Sequence, residues 1–140
     1  MFDRIKTIFA KPKTPSVEFR DVEFGILTSE ADLWSGAAKR DGMSIPFTVA
    51  GTLTAPDSGL IDRVRDITRR FHDVESEGLA FLQAEVPEVR SSKFTFHNLE
   101  FLWEDKPGTY ALEWLADGDD SCFWRVNYEA GKPKEAGFDD

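Results

Sequence analysis

Two histidines, one cysteine and a scatter of carboxylates are the residues of this 140-residue chain that could do chemistry. His97 stands beside Asn98, where the alternation of apolar residues slips by one. A slip can re-aim a side chain, so His97 is the first residue to question as a ligand or a general base. No Ser or Cys stands at a recognisable elbow, and no third ligand shares a motif with it. Glu104 and Asp105 are adjacent carboxylates that, with Glu113 from the next strand, are in principle enough for acid and base work. Neighbours along a strand point to opposite faces, however, and Glu104-Asp105 sits at a turn, where acidic residues serve solubility. Asp117-Gly118-Asp119-Asp120-Ser121 offers oxygens at alternate positions, as a calcium loop begins, but its twelfth position is Tyr128 instead of a bidentate Glu. Cys122 alternates with Trp124 and Val126 on the phase expected to be buried, which reads as a small core residue. His72 reads as a polar flank of a helix. With no glycine-rich phosphate loop, CxxC or HExxH, no catalytic residue, metal or cofactor is expected.

The element that must position these groups is residues 60–86, LIDRVRDITRRFHDVESEGLAFLQAEV, the one stretch with sustained helical periodicity. At 100° per residue, Leu60, Val64, Ile67, Phe71, Val74, Gly78, Phe81 and Leu82 share one arc, with Asp62, Arg63, Asp66, Arg69, Arg70, Asp73 and Glu77 opposite. The charged face carries Asp and Arg at i,i+4 spacing, which marks solvent exposure more than stability. Pro87 fixes the end after Val86. The start is open between a capping box at residues 54–57 and a turn followed by helix from Ser58. Glu75 interrupts the apolar arc just before Gly78, so the sequence predicts a kink, a break or a buried, hydrogen-bonded Glu75 there.

On either side of this helix the period is two. Val17, Phe19, Val22, Phe24 and Ile26 alternate with a slip at Arg20-Asp21, which predicts a bulge or a tight turn. Residues 33–38 and Ile45, Phe47, Val49 and Leu53 flank Asp41-Gly42, the strongest hairpin signal in the chain. Pro46 predicts an edge strand or an outward-facing amide. Residues 93–104, Tyr110 to Ala116, and Cys122 to Tyr128 read as an antiparallel meander. The reading is one α+β domain over residues 16–130. Its antiparallel sheet has about five to six strands, with one long helix packed across one face, in the order strands, helix, meander. A short amphipathic helix over residues 1–15 precedes it, and residues 131–140 form a peripheral tail.

The net charge is −9. Arg4, Lys6, Lys11 and Lys13 against Asp3 give residues 1–13 a charge of +3, leaving −12 on the rest. An acidic body disfavours nucleic acid, whose binding depends on neutralising phosphates, and favours basic proteins. The first ten residues offer too little apolar area for a membrane-surface anchor, and neither a signal peptide nor a membrane span is legible. A single cysteine, Cys122, fits a reducing, cytoplasmic compartment and no disulfide-linked partner.

Of the 12 Phe, 4 Trp and 2 Tyr, the meander's Phe94, Phe96, Phe101, Trp103, Tyr110, Trp114, Phe123, Trp124 and Tyr128 exceed what one helix can cover, since both phases carry rings, so either the N-terminal helix and tail cover the second face or that face binds something. Exposed aromatic patches mark interfaces, so a protein partner or a homodimer is expected, with Trp103, Trp114, His97 and Glu104 as binding residues. The alternative is a small-ligand binder or hydrolase with a pocket near His97, Glu104 and Glu113. The MFDRIKTIF start, Trp34-Ser35-Gly36 ahead of the Asp41-Gly42 hairpin, the long helix, the strand through Cys122-Phe123-Trp124-Arg125-Val126 and the Gly137 to Asp140 tail form a layout that resembles small bacterial proteins of unknown function. These include immunity proteins found beside secreted toxins. The resemblance implies a cytoplasmic, non-catalytic binding role in which an acidic surface inhibits a basic toxin, and it brings no catalytic residues with it.

Overall fold

The structure is a computed structural model that describes residues 17–102, 106, 108–117 and 119–139, with the backbone alone at 119–122 and 139. The expected N-terminal helix, Trp103 and Glu104 lie outside the described residues. Eight strands, β1 (Glu18–Asp21), β2 (Gly25–Glu30), β3 (Leu33–Arg40), β4 (Met43–Ala50), β5 (Phe94–Phe101), β6 (Tyr110–Ala116), β7 (Asp119–Glu129) and β8 (Lys132–Asp139), form one sheet in sequence order. Two helices, α1 (Ser58–Arg69) and α2 (Phe71–Glu85), connect its halves. Neighbouring strands are antiparallel except β4 and β5, which are parallel. A helical crossover returns the chain in the direction it left, as parallel pairing requires.

This corrects the expected architecture in two respects. The sheet has eight strands, because residues 18–30 fold into a hairpin of two strands and residues 132–139 of the expected peripheral tail form an edge strand, and it is mixed because β4 and β5 run parallel. The helix is two helices, broken at Arg70 (φ −121°, ψ 32°). The weak point expected at Glu75 to Gly78 stays helical. There Glu75 is half-buried and accepts a hydrogen bond from Trp114 Nε1 at 2.9 Å.

Asp57 caps α1 by accepting from the Leu60 amide at 2.9 Å, so the helix starts at Ser58. Asp41 and Gly42 both take positive φ, 51° and 77°, the geometry of a two-residue hairpin turn. Pro46 lies in a central strand, and the parallel ladder with β5 begins only at Phe47, one residue beyond the missing donor.

Cross-strand register separates two faces. Leu27, Trp34, Ala38, Ile45, Phe47, Val49, Leu99, Phe101, Leu112, Trp114, Val126 and Tyr128 are buried on one face under Leu60, Val64, Ile67, Phe71, Val74 and Leu82 of the helices. α1 packs on β3 and β4, and α2 on β7 and β8. The buried rings have their polar tips satisfied: Trp34 Nε1 donates to the Thr52 carbonyl and Tyr128 Oη to the Val74 carbonyl, each at 2.9 Å. Gly78 lets α2 approach, since a β-carbon there would stand 2.7 Å from Tyr128 Oη. Among the described residues no helix is long and apolar enough to cross a membrane.

The β1–β2 turn is pinned to α1 by charge. Asp21 accepts from the amides of Glu23 and Phe24 at 2.8 and 2.9 Å, and from both terminal nitrogens of Arg65 at 2.9 Å each. Arg65 and Arg40 also pair with Glu23 and lie over the Phe24 ring. The Arg65 hydrogen bonds outweigh burial and hold the Asp21 carboxyl down at about 2, against 3.8 ordinarily. A depressed carboxylate stabilises the fold fully above its unfolded value, and that contribution is lost as pH falls through the folded one. Asp21→Asn is therefore expected to cost about 2 kcal/mol at pH 7. The deficit should shrink between pH 4 and 2 in urea unfolding, and a pH-independent deficit would refute the assignment to charge.

Candidate functional site

Among the described residues no helix covers the other face of the sheet, and its residues follow from the same register. β3 and β4 contribute Ser35, Ala37, Thr48 and Ala50, small or hydroxylated side chains. β5 to β8 contribute Asn98, Glu100, Glu113, Arg125, Asn127 and Glu135. These six positions lie out of phase with the buried apolar residues of their strands, so the alternation that makes the core also aligns a polar row on the reverse side.

Arg125 is the hub of the row. Its Nη1 donates to Glu100 at 2.7 Å and to Glu113 at 2.8 Å, and its Nε donates to Asn127 Oδ1 at 2.9 Å. Asn127 then donates to Glu135 at 3.1 Å, and Asn98 to Thr48 at 3.2 Å. Glu113 is only 6% exposed. Burial, followed by the neighbouring Glu100 charge, pushes its carboxyl above the usual range, and Arg125 opposes that rise. Burial works against the Arg125 charge, but its bonds to Glu100 and Glu113 carry the guanidinium above its ordinary value.

Beside this row is a cavity of about 290 Å³ lined by Glu100, Lys106, Thr109, Arg125, Asn127 and Glu129. Glu129 stands 3.7 Å from both Lys106 and Lys134, so charge alternates around the rim. Thr109 Oγ1 is buried in its wall without a hydrogen-bond partner among the described residues. The volume suits a small polar molecule or one side chain of a partner. Among the described residues no group of three or more His, Cys, Asp or Glu could hold a metal ion.

The expected site residues are scattered. Trp114 is 0% exposed on the helix-covered face, so it cannot serve as a surface contact in this fold. His97 is exposed at the β-bulge between Phe96 and Asn98, and its ring stacks on Phe123 at 4.3 Å. It shares a face with Glu113 but does not line the cavity. Of the expected residues that the structure describes, Glu113 alone enters the network. His72 is exposed on α2, and Asp117 is exposed and accepts from Thr95. The rings of β5 are accounted for by geometry, while Phe123 stays in phase with Arg125 on the other face. Phe96 pairs with Trp114 and Leu99 with Leu112, so the bulge at His97 brings both phases of β5 onto the covered face.

Sequence reasoning missed Glu100, Arg125, Asn127 and Glu135. The signal available was their phase, opposite to Trp124, Val126 and Tyr128 in β7. Which of them meet depends on register across four strands, which hydrophobic pattern does not set on a polar face. Comparison of the chain with family models, with curated proteins and with solved structures gave no match.

Proposed function

We propose that this domain is a non-enzymatic protein-interaction module of the cytoplasm that takes a basic protein partner on the uncovered face of its sheet. The observation that carries the reading is that face itself: its β5 to β8 half is polar and carboxylate-rich, on a chain of net charge −9, while α1 and α2 lie on the other side. Glu129 and Glu135 stand at its margin, where long cationic side chains reach them without burying Arg125 further. Electrostatic matching of this kind sets encounter rate and partner choice. The resemblance of the sequence to immunity proteins, without its single long helix, would make that partner a basic toxin.

The test uses the intact chain as bait in an extract of its native host. A specific basic protein is expected, and the double reversal Glu129→Lys, Glu135→Lys should reduce its capture at least tenfold while leaving the thermal midpoint unchanged. Absence of any specific partner, or capture indifferent to the reversals, would end the proposal. A second reading, a small polar-ligand site in the cavity, is favoured by Thr109 Oγ1, which has no hydrogen-bond partner among the described residues. The alternating lysines and glutamates of its rim would suit a zwitterion such as a free amino acid.

A further inference from the structure

The two edges of the sheet differ. β1 is four residues long and its turn is fastened to α1 through Asp21 and Arg65. β8 is eight residues long and among the described residues pairs only with β7, which leaves its outer row of backbone groups without a strand partner there. An open edge of that length invites a further strand unless it is blunted by lysine, proline or a bulge.

Half of β8 is blunted in this way. Lys132, Pro133 and Lys134 open the strand, and the register step from Asn127↔Glu135 to Tyr128↔Pro133 makes Lys134 the extra residue of a bulge. Residues 135–139 carry no such guard. Glu135, Gly137 and Asp139 occupy one phase, opposite Asn127, Arg125 and Phe123, and Ala136 and Phe138 occupy the other. Phe138 is 59% exposed, with its ring edge-on to Trp124 at 5.2 Å. Gly137 has nothing within 4 Å of where a β-carbon would stand, and a hollow of about 370 Å³ lies beside it, lined by Arg125, Asn127, Glu135 and Phe138.

Charge decides the occupant. A second copy using all five residues, in a two-fold pairing centred on Gly137, would set Glu135 against Asp139 at both ends. Like charges directly opposite one another destabilise a strand pair. A strand with cations at those positions gains instead, and apolar residues in its other phase cover Phe138. We propose that residues 135–139 of β8 are a strand-addition site for an extended segment of a partner protein that alternates cationic and apolar residues. Main-chain hydrogen bonds supply the affinity, and Glu135 and Phe138 the selection. This assignment rests on the interaction reading above and names the mode and chemistry of the partner.

The probe is a fluorescent peptide, Lys-Val-Lys-Val-Lys-Val-Lys, titrated by anisotropy with the full chain. Saturable binding is expected. It should fall at least tenfold when alternate peptide amides are N-methylated, because strand addition needs them, and by a similar factor in Phe138→Lys. Glu135→Lys should reverse the preference toward Glu-Val-Glu-Val-Glu-Val-Glu. Both positions are exposed, so the variants are expected to fold, as circular dichroism would verify. Equal binding of the N-methylated peptide, or indifference to Phe138→Lys, would overturn the assignment. A dimer in sedimentation that Phe138→Lys dissociates would overturn it too, giving the edge to a second copy. If Phe138→Lys still captures the extract partner, the edge assignment falls and the interaction module stands.

Discussion

Trp114→Ala is expected to lower stability by about 3–5 kcal/mol, the range for deleting a large buried ring. Trp114 is wholly buried, donates from Nε1 to Glu75 of α2 and meets the edge of Phe96 at 6.3 Å. It joins the middle of the sheet to the helix, and little around it can collapse into the void. Against a total of about 5–15 kcal/mol this is roughly a fifth or more of the fold. The thermal midpoint should drop by roughly 10–15 °C. Trp114→Phe keeps most of the ring while removing the donor to Glu75, and should cost less because half-buried Glu75 can turn to water. Gly78→Ala tests the same contact from the helix side. Propensity alone predicts a gain of about 1 kcal/mol. The added carbon would stand 2.7 Å from Tyr128 Oη and 3.0 Å from Trp114, so a net loss is expected. Urea unfolding measures all three, and a stabilised Gly78→Ala would show that α2 does not pack as described.

What was legible follows from which forces are local. The Asp41-Gly42 hairpin, the slip at His97 and the end of the helix before Pro87 are set by backbone preferences of a few neighbouring residues, and each stands where the pattern puts it. The break at Arg70 has no such signature, since neither Gly nor Pro is near it. Its cause is the sheet: eight strands span about 34 Å. With a right-handed twist of roughly 20° per strand, a straight rod cannot keep one apolar stripe on both halves. One helix therefore serves β3 and β4 and the next serves β7 and β8. β8 was illegible because its lysines, proline and glycine carry no apolar alternation. Its strand is imposed by pairing with β7 across Ala130 and Gly131, both at positive φ, where alanine gives no turn signal. The polar row was half legible. Glu113 is identifiable as a carboxylate out of phase with core residues, but its partner Arg125 is fixed by register and by nothing in its own neighbourhood.

That partnership carries the other large expected effect. Arg125→Met should cost about 3 kcal/mol at pH 8, toward the low end for removing one partner of a buried pair because the guanidinium is partly solvated. The loss arises from Glu113, left ionised and nearly inaccessible to water with Glu100 beside it. The pH dependence has a definite sign. The folded-state value of Glu113 already lies above its unfolded one, so its contribution is most favourable at low pH and is lost as pH rises through the raised value. Removing Arg125 takes away the cation that opposes the rise and moves it further. The deficit should therefore be larger at pH 8 than at pH 5. Glu113→Gln in the Arg125→Met background should recover most of it, since an amide in that position carries no charge to desolvate. The four-variant cycle would then show strong coupling between two residues that pair directly across β6 and β7. Additive effects, or a deficit equal at both pH values, would mean that Arg125 contributes by packing its stem over the sheet and not by holding the charge of Glu113.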